Sequence, residues 1–125
     1  SKSQIETEID ELNKLSASSM KDAYVGAMTM KKAQFMKTPK DKAGVFKTGR
    51  ALLESAIESS TSNGEYRFLR LVIQENSPKI LKYNSDIDND VDIIVSKFSG
   101  LDPIVRKFIK KYAEKSEHLN SAKLK

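Results

Sequence analysis

Arg67, Arg70 and Gln74 stand at i, i+3 and i+7 in the stretch RFLRLVIQEN. On a helix these three side chains share a stripe roughly 60° wide. Two guanidiniums and an amide on one stripe present many N–H donors, in a geometry that suits a carboxylate or a phosphate. Two arrangements are open. The arginines can pair internally, with an acid such as Glu54 or Glu58 on the preceding helix, which is the common fate of charge on a buried helix. Alternatively they line a groove and grip an anionic group on a partner. A mixed outcome is expected, with one arginine holding an internal acid and the other open to a ligand. The candidate partner-binding residues are therefore Arg67, Arg70 and Gln74, joined by Asn76, Tyr83 and Asn84 at the QENSPK corner and beyond it.

Other chemistry-bearing residues point less far. Counted as a calcium loop, Asp86, Asp88 and Asp90 supply oxygens at positions 1, 3 and 5, but Val91 replaces the required Gly and Lys97 the bidentate Glu. Acids at a helix start need no metal, because the macrodipole favours them there. His118 is the single histidine, and no cysteine is present. That excludes disulfides and thiol catalysis. No Ser-His-Asp pattern or Gly-rich phosphate loop is visible. The chain is expected to be non-catalytic, without metal or cofactor.

The elements that must carry these residues are helices. Three prolines follow capping residues, in Thr38-Pro39, Ser77-Pro78 and Asp102-Pro103, so helices are predicted to start at 39, 78 and 103. Ile5, Ile9 and Leu12 mark a first helix to about Leu15, loosened at SASS. A second runs from Ser19 to Met36 and a third from Pro39 to Ser59, with Val45, Gly49, Leu52, Leu53 and Ala56 inward. Phe35 and Phe46 read as core residues. A fourth helix covers Glu65 to Glu75, where apolar side chains span roughly 220°. Such a helix is central, and Leu69 and Val72 are expected in its core. Pro78 opens a short fifth piece. Ile87, Val91, Ile94, Val95 and Phe98 mark a sixth helix, stopped by Gly100 at a C′ position. The seventh runs from Pro103 to Glu117, with Val105, Phe108, Ile109 and Tyr112 inward. No strand pattern competes. The expected fold is all-α, about seven helices in antiparallel pairs, as one domain over 1–117 with a frayed basic tail at 118–125.

A net charge of +5 is unevenly spread. Residues 31–50 carry Lys31, Lys32, Lys37, Lys40, Lys42, Lys47 and Arg50 against Asp41 alone, and residues 106–125 carry seven bases against Glu114 and Glu117. These blocks read first as solvated helix faces and second as surfaces for nucleic acid or membrane headgroups. Aromatics are not interleaved with the lysines for base stacking, so nucleic-acid binding would be backbone-driven. No apolar run approaches the ~20 residues of a membrane span. Ser1 to Leu15 is polar and acidic, unlike an export signal, and the chain opens without Met, so such a signal could precede Ser1.

Gly49, Leu53 and Ala56 at i, i+4, i+7, with Val25-Gly26 on the preceding helix, resemble the small and large slots of a tetratricopeptide repeat, and ALLESAIESSTSNGEYRFL resembles one repeat's second helix, its turn and the next start. Thr61 stands where the usual turn proline would be, and the link from Met36 to Lys42 is longer than a repeat allows. The resemblance implies stacked antiparallel helix pairs rather than a regular array. AYVGA, GRALLESAI and EYRFLRLVIQENSPKILKYN also resemble a family of small uncharacterised helical proteins from Bacteroidetes-type bacteria. That resemblance implies no activity. It implies export or a periplasmic location, with the cytoplasm as the alternative. The function expected is a protein-interaction module with a groove beside helix 65–75. Its alternative is an anionic-surface binder acting through segments 31–50 and 106–125.

Overall fold

A computed structural model describes residues 1–13 and 18–125 of the chain. The described residues are all-α, with six α-helices, four short 3-10 turns and no strand. They divide into two compact units, Ser1–Thr61 and Ser62–Lys125.

The first unit holds α1 (Lys2–Asn13), α2 (Ser19–Lys32) and α3 (Pro39–Ser59). Leu15, the first half of SASS and the packing of Leu12 lie outside the described residues. α3 starts where its sequence predicts: Thr38 Oγ1 accepts from the Asp41 N–H at 3.1 Å, with Pro39 in the first turn. α1 packs on α2, and α2 packs on α3 through two glycines. A Cβ on Gly26 would stand 2.6 Å from the Gly49 carbonyl oxygen, and one on Gly49 would stand 2.5 Å from that of Gly26. Gly26 also faces Leu53 while Met30 faces Gly49, so the two helices run antiparallel. The absence of two side chains lets the backbones touch, and Ala23, Leu53, Ala56 and Ile57 close the core around the crossing. Val45 and Leu52 are half-buried, and Phe46 takes the buried position. α2 is shorter than predicted. It gives way to a 3-10 turn at Ala33–Phe35, which leaves Phe35 39% exposed rather than in the core.

The second unit holds α4 (Gly64–Asn76), α5 (Ile87–Lys97) and α6 (Pro103–Ala113). Leu71, Ile94, Phe98 and Ile109 form its core. Leu69 and Val72, expected there, are half-buried. Leu71, between them, is fully enclosed. The helix expected at Pro78 is only a 3-10 turn, Lys79–Leu81. The Ser77 hydroxyl donates back to the Ile73 carbonyl instead of capping forward. Lys82, in the left-handed region at φ 53°, then stops the turn. Gly100 lies in the 3-10 turn Phe98–Gly100 without positive φ, so α5 does not end on a left-handed glycine. Asp102 caps α6, accepting from the Ile104 N–H at 2.8 Å. α6 ends at Ala113, and Phe108 points outward, 62% exposed. Residues 118–125, expected to fray, place Leu119 and Leu124 in the core, since two leucines at this spacing gain more by burial than a free end gains in entropy.

Candidate binding cleft

α4 is capped by Asn63, whose side chain accepts from the Tyr66 N–H at 3.0 Å. Its apolar arc enters the core, and its polar seam meets α5. Asp90, with no exposed surface, sits on the inward stripe of α5 between Ile87 and Ile94. Arg70 forks onto it, Nε to Oδ2 at 2.9 Å and Nη2 to Oδ1 at 2.8 Å. Arg67 Nη1 adds a bond to Oδ1 at 3.1 Å, and Gln74 Nε2 one to Oδ2 at 2.8 Å. Both carboxylate oxygens are thus committed to protein donors. Gln74 also accepts from the Asp86 N–H at 2.9 Å, which ties the first turn of α5 to the last turns of α4. Gln74, near the end of α4, thus meets Asp86 at the start of α5, while Arg67 and Arg70, earlier on α4, reach Asp90 one turn further along α5, so α4 and α5 run antiparallel.

Both arginines therefore reach Asp90, where sequence reasoning expected one to stay open. They are 6% and 4% exposed. The acid they share lies on α5, a position read from sequence only as helix-start chemistry. The signal was legible in retrospect: Asp90 interrupts an apolar stripe at i+3 from Ile87 and i−4 from Ile94, where an unpaired acid would be costly.

Glu75, the next residue along α4, organises a second cluster. It accepts from the Tyr112 hydroxyl at 2.7 Å, the Ser116 hydroxyl at 2.8 Å and the His118 backbone N–H at 3.0 Å. His118 Nδ1 lies 2.7 Å from its Oε2. Burial works to raise the Glu75 pKa, but bonds from Tyr112, His118 and Ser116 together outweigh it and hold the carboxyl below its usual 4.5. Tyr112 is pushed well above its ordinary value by burial, then by its bond to Glu75 and the charge of that carboxylate. Asn76 Nδ2 donates to the Tyr112 oxygen at 3.0 Å and to the Val72 carbonyl at 2.7 Å. Ser116, His118 and Glu75 share the residue types of a hydrolase triad but not its order, because serine and histidine both bond the carboxylate.

Between these clusters and the corner opens a cleft of about 410 Å³. Gln74 and Glu75 from α4 form one wall. Lys79 from the corner, with Tyr83 and Asn84 beyond it, forms another, and Asp88, Glu117 and His118 complete the rim. Three of the six candidate residues, Gln74, Tyr83 and Asn84, line it. Tyr83 is buried and Asn84 exposed. Asn76 lies beside the cleft on Tyr112, and Arg67 and Arg70 sit behind it on Asp90. Sequence reasoning missed Glu75, Ser116 and His118, which are 41 or more positions apart from α4 to the C-terminal segment and meet only in the fold. Comparison with protein-family models, with curated proteins and with solved structures gives no match.

Proposed function

We propose that the chain is a non-catalytic protein-interaction module, and that an extended segment of a partner protein binds the cleft at the C-terminal end of α4. The observation that carries this is the contrast within the cleft. Its wall is fixed by the Asp90 and Glu75 clusters, while its rim offers Asn84, Lys79, Asp88 and Glu117 as exposed polar groups. A rigid wall lowers the ordering cost of binding, and mixed charges suit a peptide carrying both signs. Arg67, Arg70 and Gln74 then act as positioning residues, and Asn84 and Lys79 touch the ligand. The repeat-like helix pairing of the first unit and its bacterial-family likeness belong to the same proposal.

A random linear-peptide display library, selected on the folded protein, tests it. Enriched peptides should bind with a modest salt dependence, from the exposed rim charges, and lose about tenfold or more in affinity in Asn84→Ala/Lys79→Glu, the loss of one or two good polar contacts. Peptides that bind that variant as well as the parent refute the cleft as the site.

A further inference from the structure

We propose that the outer face of α6 docks on the surface of an anionic lipid bilayer. Ile104, Lys107, Phe108 and Lys111 fall at i, i+3, i+4 and i+7, and so share one face of the helix. Ile104 is 66% and Phe108 62% exposed, while Ile109 and Ala113 on the opposite face are buried. α6 is the most strongly amphipathic helix among those described. It contains Arg106, Lys107, Lys110 and Lys111 and no acid. Its acidic neighbours, Asp102 and Glu114, stand just outside its two ends. Lys110 lies over the Phe98 ring, 5.7 Å from its centre. Lys107 and Lys111 form no ion pair among the described residues.

Charge complementarity selects the occupant. Two large apolar side chains one turn apart, flanked by unpaired lysines, match an interface that takes apolar groups into its acyl boundary and lysines at its anionic headgroups. A polyanion in water would use the lysines but leave Ile104 without a partner. The basic segment of α3 differs, because Lys40, Lys42 and Lys47 are exposed there without a large exposed apolar neighbour on that helix. No described helix is long and apolar enough to cross a membrane, so contact of this kind lies along the surface.

Flotation of the whole chain with vesicles of phosphatidylcholine, and of phosphatidylcholine with phosphatidylserine, tests the inference. Binding is expected on the anionic vesicles and not on the neutral ones. Lys107→Ala/Lys111→Ala should weaken it about 25-fold, roughly fivefold per lysine. Phe108→Ser should weaken it about tenfold or more, as loss of a buried aromatic group implies. Thermal melts matching the parent show that both variants remain folded. The inference is overturned if anionic and neutral vesicles bind equally, or if Phe108→Ser leaves binding unchanged, since adsorption would then be charge alone. Tighter binding to duplex DNA or polyglutamate than to anionic vesicles overturns it, as does self-association that depends on Phe108 without vesicle binding. The vesicle arm uses no cleft residue, so its failure leaves the cleft reading untouched.

Discussion

Replacing Asp90 by alanine should be among the most damaging single changes in the second unit. Asp90 has no exposed surface and receives four N–H donors, three of them from Arg67 and Arg70. Without it, two nearly buried guanidiniums face each other across an empty space. Breaking a buried pair by removing one partner typically costs ~3–5 kcal/mol, because the remaining charge is left uncompensated. At ~0.05–0.15 kcal/mol per residue, a unit spanning Ser62–Lys125 has on the order of 3–10 kcal/mol to lose. Asp90→Ala should therefore remove a large share of that stability, and all of it at the lower end of the range. Arg70→Ala removes the fork and should rank next. Arg67→Ala removes one of the four donors and should cost ~1–3 kcal/mol. Urea unfolding read by near-ultraviolet dichroism is weighted toward this unit, since Tyr66, Tyr83 and Tyr112, three of the four tyrosines, lie within it and tryptophan is absent. The combined change Arg67→Leu/Arg70→Met/Asp90→Leu should recover much of the loss, because apolar replacement of a whole buried ionic cluster is often neutral or stabilising. An unfolding free energy for Asp90→Ala within ~0.5 kcal/mol of the parent's would show that the cluster does not hold this unit together.

Other perturbations test other links. Gly49→Ala places a Cβ 2.5 Å from the Gly26 carbonyl oxygen and should destabilise the first unit by ~1–3 kcal/mol despite alanine's better helix propensity, whereas Gly44→Ala, with nothing within 4 Å, should stabilise α3 by ~0.5–1 kcal/mol; thermal melts of the two variants check the opposite signs. Glu75 has a depressed pKa in the folded state, so its stabilisation is complete above its unfolded value near 4.5 and is lost as pH falls through the lower folded value. Melts of the parent and Glu75→Gln should thus differ most at neutral pH and converge under strongly acidic conditions. Leu71→Ala should cost ~2–5 kcal/mol, and Leu69→Ala less, in the same urea assay. Lys82→Gly should be neutral or stabilising by up to ~1 kcal/mol, since the left-handed backbone at φ 53° costs lysine more than glycine.

What could be read from sequence was what local rules govern. Thr38-Pro39 and Asp102-Pro103 mark helix starts because a capping oxygen and a proline act within one turn. The same logic failed at Ser77-Pro78, where the preceding helix claimed the Ser77 hydroxyl and Lys82 ended the turn after three residues. The stripe of Arg67, Arg70 and Gln74 was visible from periodicity, but its partner was not. Asp90 is 20 residues from Arg70, and pairing at that distance is decided by how two helices register. Phe108 was misplaced for a related reason. A helix wheel shows which residues share a face without showing which face the fold covers.

These long-range pairings also explain why the cleft is held where it is. Hydrophobic packing of Leu71, Ile94 and Ile109 would tolerate some sliding of α4 along its neighbours, because apolar contacts carry little directional preference. The two carboxylate clusters remove that freedom in different ways. At Asp90 an acid on α5 is gripped by donors from three positions of α4, which sets the register between those helices. At Glu75 an acid on α4 gathers donors from α6 and the chain after it, which fastens the C-terminal segment alongside. Gln74 and Glu75 are adjacent, so one turn of α4 receives both constraints. The wall of the cleft is that turn. Replacing either cluster with apolar residues of equal volume could preserve stability, yet it would release the position of the wall, and affinity for a cleft-bound peptide should fall even where the melting temperature does not.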